Sequence, residues 1–362
     1  MNIESLDRNF SVLSKVNEKD CVFYNVKNSP FEIHGLFNPK TENSFTRMPK
    51  HVADATNDGV SWLSGDTSGG RIRFSTTSKY VAIRVEMPYL AYPHQSLLGS
   101  AGFNLFVDEQ NGVSKFYRSF IPPTRFDNGW ETIIYFNDVK KRNITIYMPS
   151  YSHVYCVQIG LQKRAELGKN QFKYLDIPPI LYYGGSHAQG GCASVSSNTY
   201  QNFIMRWTNV DYISLTFSGS ALGEKQMAEY IASQKISLFV MEYDHNAPTV
   251  EYLKNTHYAF YKTIRDSQPD LPIILISKHD FYATTFYVKT QKENEDRRQV
   301  VIDTFNKAKE NGDKNIYFID GKTLLGEKDA DVCTVDGTHP NDLGFYRIAE
   351  SIYPSIKEIL KI

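Results

Sequence analysis

Little in this chain of 362 residues points to disulfides, metal staples or a strong field. Only four cysteines occur, Cys21, Cys156, Cys192 and Cys333, and no two form a C-x-x-C pair. That spacing argues against a zinc ribbon or a disulfide framework and suits reduced thiols. Lys plus Arg and Asp plus Glu number 40 each, so the formal net charge is zero. No field draws such a chain to nucleic acid or to an anionic membrane. No apolar run approaches the ~18 residues of a spanning helix. Residues 1–7 carry acids and no apolar signal core, so a cytoplasmic protein is expected. Repeats and low-complexity tracts are lacking. Gly190-Gly191 is not followed by Lys-Ser or Lys-Thr, which excludes a phosphate loop. No cofactor or metal is expected, and neither a nucleic-acid nor a membrane partner.

What is present divides the chain in two, as its length suggests. Residues 1–175 read as all-β. Short apolar-alternating runs at 21–24, 70–74, 81–85, 103–107, 132–136, 144–147 and 154–157 are punctuated by Gly, Asn, Asp or Pro. Such spacing predicts an antiparallel sandwich or jelly roll. The stretch 171–179, ending Ile177-Pro178-Pro179, reads as a linker. Over 176–362 short apolar runs alternate with amphipathic ones. Strands are expected at 180–183, 212–217, 236–241, 273–277 and 316–319. Helices are expected near 199–208, 221–233, 250–267 and 293–311, with a last one starting at Pro340, a residue favoured at the first helical position. Strand–helix alternation implies a parallel α/β sheet, with its ligand site beyond the carboxyl ends of the strands.

That rim collects the chemistry. Ser186 follows the first strand on the turn Gly184-Gly185-Ser186-His187-Ala188-Gln189-Gly190. Gly219 follows the second strand and Asn246 the third; Asp336 and His339 follow the fifth. Each alone is compatible with an ordinary connector or cap. Together they suit acyl transfer. A serine hydroxyl needs a base, His339; the base needs an orienting carboxylate, Asp336. The oxyanion needs donors, here the N–H groups of Ser186 and Gly219 and the Asn246 amide. His187 reads as a partly exposed loop residue and His245 as structural. His279-Asp280 reads either as pocket lining or as a cap. Asp331, Asp336, His339 and Asp342 cluster locally but suit zinc poorly. The G-x-S-x-G elbow of the α/β-hydrolases would need glycine where Ala188 stands.

These blocks resemble those of the SGNH hydrolases, the GDSL esterase/lipase superfamily. G-D-S-x-x-x-G is matched by 184–190 and D-x-x-H by Asp336-Gly337-Thr338-His339, which continues Pro340-Asn341-Asp342-Leu343-Gly344. Gly219 and Asn246 fall on the second- and third-block residues. Gly185 departs from the usual Asp or Ser before the nucleophile, and His187 directly follows it. The resemblance implies a flavodoxin-like three-layer α/β/α domain over about 178–362. Residues 44–49 and 69–76 are similar to the β-sandwich that precedes this domain in a bacterial subgroup often associated with carbohydrate deacetylation. The implied activity is that of a serine esterase acting on small acetyl esters, with an oligosaccharide or small-molecule ester as substrate. The same triad would serve a lipid or aryl esterase or a thioesterase. An inactive glycan-binding protein is the reading from another class.

Overall fold

The computed structural model describes residues 3–7, 10–109, 113–279 and 288–362. Its N-terminal part holds the helices Ile3–Leu6 (α1), Lys50–Thr56 (α2), Asp58–Leu63 (α3) and Leu97–Ala101 (α4). Among its strands are Cys21–Asn25 (β1), Glu32–His34 (β2), Arg71–Thr76 (β3), Tyr80–Glu86 (β4) and Phe103–Asp108 (β5). Ser114–Phe120 (β6), Gly129–Tyr135 (β7), Arg142–Tyr147 (β8), Cys156–Gln162 (β9) and Leu167–Gly168 (β10) follow.

Two antiparallel sheets result, ordered β1-β9-β4-β7 and β10-β3-β8-β5-β6, with β2 also pairing with β3. Val81, Ile83 and Val85 of β4 and Val157, Ile159 and Leu161 of β9 point inward from the first. They share one core with Ile72 and Phe74 of β3 and Ile144 and Ile146 of β8 from the second. The period-2 alternation read from the sequence produces that shared layer. Strands β2, β6 and β10 escaped the sequence reading. Two of them are only two or three residues long, and β6, Ser-Lys-Phe-Tyr-Arg-Ser-Phe, is mostly exposed and lacks a clear apolar face.

From Ile180 onward the sheet is parallel. Ile180–Gly184 (β11), Tyr212–Thr216 (β12), Leu238–Glu242 (β13), Ile273–Ile276 (β14) and Ile316–Ile319 (β15) lie in the order β12-β11-β13-β14-β15. The connecting helices are Ser186–Gln189 (α5), Tyr200–Thr208 (α6), Lys225–Ala232 (α7), Val250–Ser267 (α8), Val288–Glu310 (α9) and Asp342–Leu360 (α10).

Successive strand residues face opposite layers. Leu181, Tyr183, Phe239, Met241, Ile273 and Leu275 pack with Ile231 of α7, Leu253 and Phe260 of α8 and Val301 of α9. Ile180, Tyr182, Leu238, Val240, Ile274 and Ile276 pack with Ile204 of α6 and Ile348, Ile352 and Ile356 of α10. Burying such a side chain is worth roughly 1.5–3 kcal/mol. Helices therefore cover both faces of the sheet.

Of the boundaries that differ from the sequence reading, two have clear local reasons. Helix α7 starts four residues late because Gly223 sits at φ +77°, outside helical geometry. Helix α10 starts at Asp342, not at Pro340. Its cap is Asn341, whose side chain accepts from the Gly344 N–H, while Pro340 bridges to Thr334. Among the described residues no helix is long and apolar enough to cross a membrane.

Candidate active site

The turn from β11 into α5 delivers Ser186 to the rim of the parallel sheet, 7% exposed. Its Oγ lies 3.0 Å from Nε2 of His339. Nδ1 of the same imidazole lies 2.7 Å from Oδ2 of Asp336. The second carboxylate oxygen accepts from the backbone N–H groups of Thr338 (3.0 Å) and His339 (2.7 Å), which closes the Asp-Gly-Thr-His turn. Gly337 makes that turn possible at φ +85°. Burial raises the Asp336 carboxyl, but the His339 N–H, the imidazole and the Thr338 N–H more than offset it. They hold the group below the usual carboxylate range, ionised at neutral pH. Serine, imidazole and carboxylate are thus joined end to end, which suits proton transfer away from Oγ.

The other rim residues surround this line. Gly219 occupies the turn after β12 at φ +65°, with open space where a Cβ would be. Asn246, after β13, donates from Nδ2 to the Phe217 carbonyl at 3.2 Å. It also abuts Gly185, so it sits between the Ser186 turn and the Gly219 turn.

His187 corrects the sequence reading. It is 2% exposed, stacked on His245 at 4.2 Å and met edge-on by His279 at 4.2 Å. Burial, then the neighbouring His279, His245, His339 and Lys278, depress its pKa well below the ordinary histidine value, so it is neutral. Among the described residues neither its Nε2 nor that of His245 has a hydrogen-bond partner. His279 is buried and its Nε2 lies 3.2 Å from the Thr338 carbonyl, behind the Asp-Gly-Thr-His turn. Asp280 lies outside the described residues. Asp342, grouped with the acids in sequence, instead accepts from the backbone and hydroxyl of Ser194 and from Asn198.

Several contributors come from the N-terminal part and carry no local motif. Tyr151 donates its hydroxyl to the Ser186 carbonyl at 3.2 Å. The exposed His94 ring packs 5.6 Å from that of His339, and Tyr92 packs on Tyr151. These contacts span 35 to 245 residues of chain, so no sequence window holds both partners. Among the described residues, one group has metal-ligand spacing: His94, Cys192, Asp336 and His339, with candidate ligand atoms within 4.8 Å of one another. Two of these are already bonded to each other. Burial pushes the Cys192 thiol up to about 12.

A parallel sheet with this line on its rim, behind a β-rich N-terminal part, defines the class as an SGNH-type hydrolase fold. Residues 178–357 match the GDSL-like lipase/acylhydrolase family, and 21–167 match the family described as the N-terminus of SGNH-hydrolase-type esterases. The chain belongs to this SGNH/GDSL group. Among solved structures it is similar to a GDSL-like lipase from Bacteroides ovatus, so assigned, at 25% identity and TM-score 0.86. That match covers 94% of this chain and 98% of the other. The salicylyl-acyltransferase SsfX3 of a tetracycline biosynthetic pathway is similar at 19% identity and TM-score 0.78, over 95% and 98% of the two chains. A family two carbohydrate esterase from Clostridium thermocellum, solved with cellohexaose, shares the fold at 13% identity and TM-score 0.64, over 91% and 99%. No curated protein sequence matches the chain.

Proposed function

We propose that this protein is a serine esterase that hydrolyses small esters, acetyl esters of carbohydrates foremost, through an acyl-enzyme on Ser186. The observation that carries the proposal is the unbroken hydrogen-bonded line from Ser186 Oγ through His339 to Asp336. His339 Nε2 takes the hydroxyl proton as Oγ bonds to the ester carbonyl carbon, and the carbonyl π pair moves to oxygen. The Ser186 and Gly219 N–H groups and the Asn246 amide receive that oxyanion. Collapse expels the alcohol oxygen, which His339 protonates. Water then repeats the sequence on the acyl-enzyme and releases the acid. Asp336 holds the imidazole tautomer and stabilises the imidazolium throughout.

Carbohydrate as the alcohol side is supported by the shared fold with carbohydrate esterases, among them an acetyl xylan esterase from Butyrivibrio proteoclasticus (TM-score 0.59, 13% identity).

The test is a nitrophenyl ester series from acetate to octanoate, run beside acetylated oligosaccharides with acetate release measured. The proposal expects kcat/KM to fall steeply beyond butyrate and acetate to be freed from the oligosaccharides. Preference for octanoate would instead favour a lipid esterase.

A further inference from the structure

Gln189, at the end of α5, is fully buried and fully bonded. Its Nε2 donates to Oδ2 of Asp66 at 2.8 Å and to the Ser150 carbonyl at 3.3 Å. Its Oε1 accepts the Ser218 N–H at 2.8 Å. A flipped amide would set NH₂ against N–H and carbonyl against carboxylate, so this orientation is dictated. Ser68 Oγ caps the Gln189 carbonyl at 2.8 Å. Asp66, Ser68 and Ser150 all belong to the N-terminal part, and Ser218 immediately precedes Gly219. The turn that carries Gly219 is open at that residue, where a Cβ would meet nothing within 4 Å. Its neighbours are held by hydrogen bonds, Ser218 to Gln189, Phe217 to Asn246, and the Ser220 carbonyl to Asn57 Nδ2 at 3.0 Å.

We propose that Gln189 is a positioning residue: anchored by Asp66 and Ser150 of the N-terminal part, it fixes the Ser218–Gly219 turn where the oxyanion forms. The N-terminal part is then a component of the catalytic apparatus rather than an appended module. The inference rests on the esterase reading for its kinetic consequences, but not for its structural one.

A donor displaced by a few tenths of an ångström still binds substrate but stabilises the transition state less, so the loss falls on kcat. Gln189→Ala is expected to lower kcat about 10- to 100-fold with KM within about twofold of the parent. Gln189→Glu keeps the acceptor for Ser218 but opposes the Asp66 carboxylate, so it should also be impaired at pH 8. Adding Asp66→Asn to Gln189→Glu exchanges donor for acceptor across the same contact and should recover kcat severalfold over Gln189→Glu alone, short of the parent because the Ser150 carbonyl still lacks its donor. A generic packing role predicts no such rescue.

Peptide-level hydrogen exchange gives a readout that needs no activity. Gln189→Ala should speed exchange over 217–220 while the β11 strand stays protected. Parental kcat in Gln189→Ala, absence of rescue in the double variant, or unchanged exchange at 217–220 would each overturn the proposal. A parent that hydrolyses no ester would overturn the esterase reading instead, and the exchange result would still decide the role of Gln189.

Discussion

Gly185 and Asn246 exclude a side chain between them: a Cβ on Gly185 would stand 2.6 Å from both amide atoms of Asn246 and from Nε2 of His245. The glycine before Ser186, a departure from the family's usual residue, thus follows from what occupies the neighbouring space. Its φ of −89° is not left-handed, and the crowding around a Cβ is what restricts the position.

Gly185→Ala is accordingly expected to push Asn246 from its place. Overpacking of this kind costs on the order of 1–3 kcal/mol, seen as a fall of several degrees in the thermal midpoint. The displaced amide should also lower kcat by about tenfold or more. Calorimetry and steady-state kinetics on the same preparation separate the two effects.

Within the Ser186–His339–Asp336 line, Ser186→Ala and His339→Ala are expected to cut kcat/KM by at least about 10³-fold. Asp336→Asn should be less severe, between about 10- and 10³-fold. The side-chain oxygen that accepts from Thr338 and His339 can persist, while the charge that stabilises the imidazolium is lost. Circular dichroism would show that all three variants remain folded.

The buried His187 predicts an acid-limb effect on stability. In the unfolded chain its imidazole protonates near 6.5; in the folded protein burial among His279, His245, His339 and Lys278 holds it neutral well below that. The unfolded state therefore binds more protons below pH 6.5, and the stabilisation present above 6.5 is lost as pH falls. His187→Leu should shrink the difference in unfolding free energy between pH 7.5 and 5.5 by about 1 kcal/mol. Urea titrations at the two pH values read this directly. An unchanged difference would mean that His187 protonates in place.

How legible this was in the sequence depended on distance along the chain. Apolar runs such as Ile180–Tyr183 and Ile273–Ile276 announce the parallel strands because period and length are local. The order of Ser186, Gly219, Asn246 and Asp336 along those strands places all of them on one rim, since each follows a parallel strand. Contacts between loops carry no such signature. His187 looks like a loop histidine until β13 and β14 bring His245 and His279 against it. Gln189 is an unremarked position in a turn motif until Asp66, 123 residues earlier, fixes its amide. The N-terminal contributions of Tyr151 and His94 belong to the same category.

The central claim is that Ser186 is a nucleophile activated by His339. Incubation with a fluorophosphonate, followed by intact mass and peptide mapping, tests it most directly. The account predicts one adduct per chain on the peptide bearing Ser186, absent in Ser186→Ala and formed far more slowly in His339→Ala. A folded parent protein that takes up no adduct, or takes it up at another residue, would contradict it.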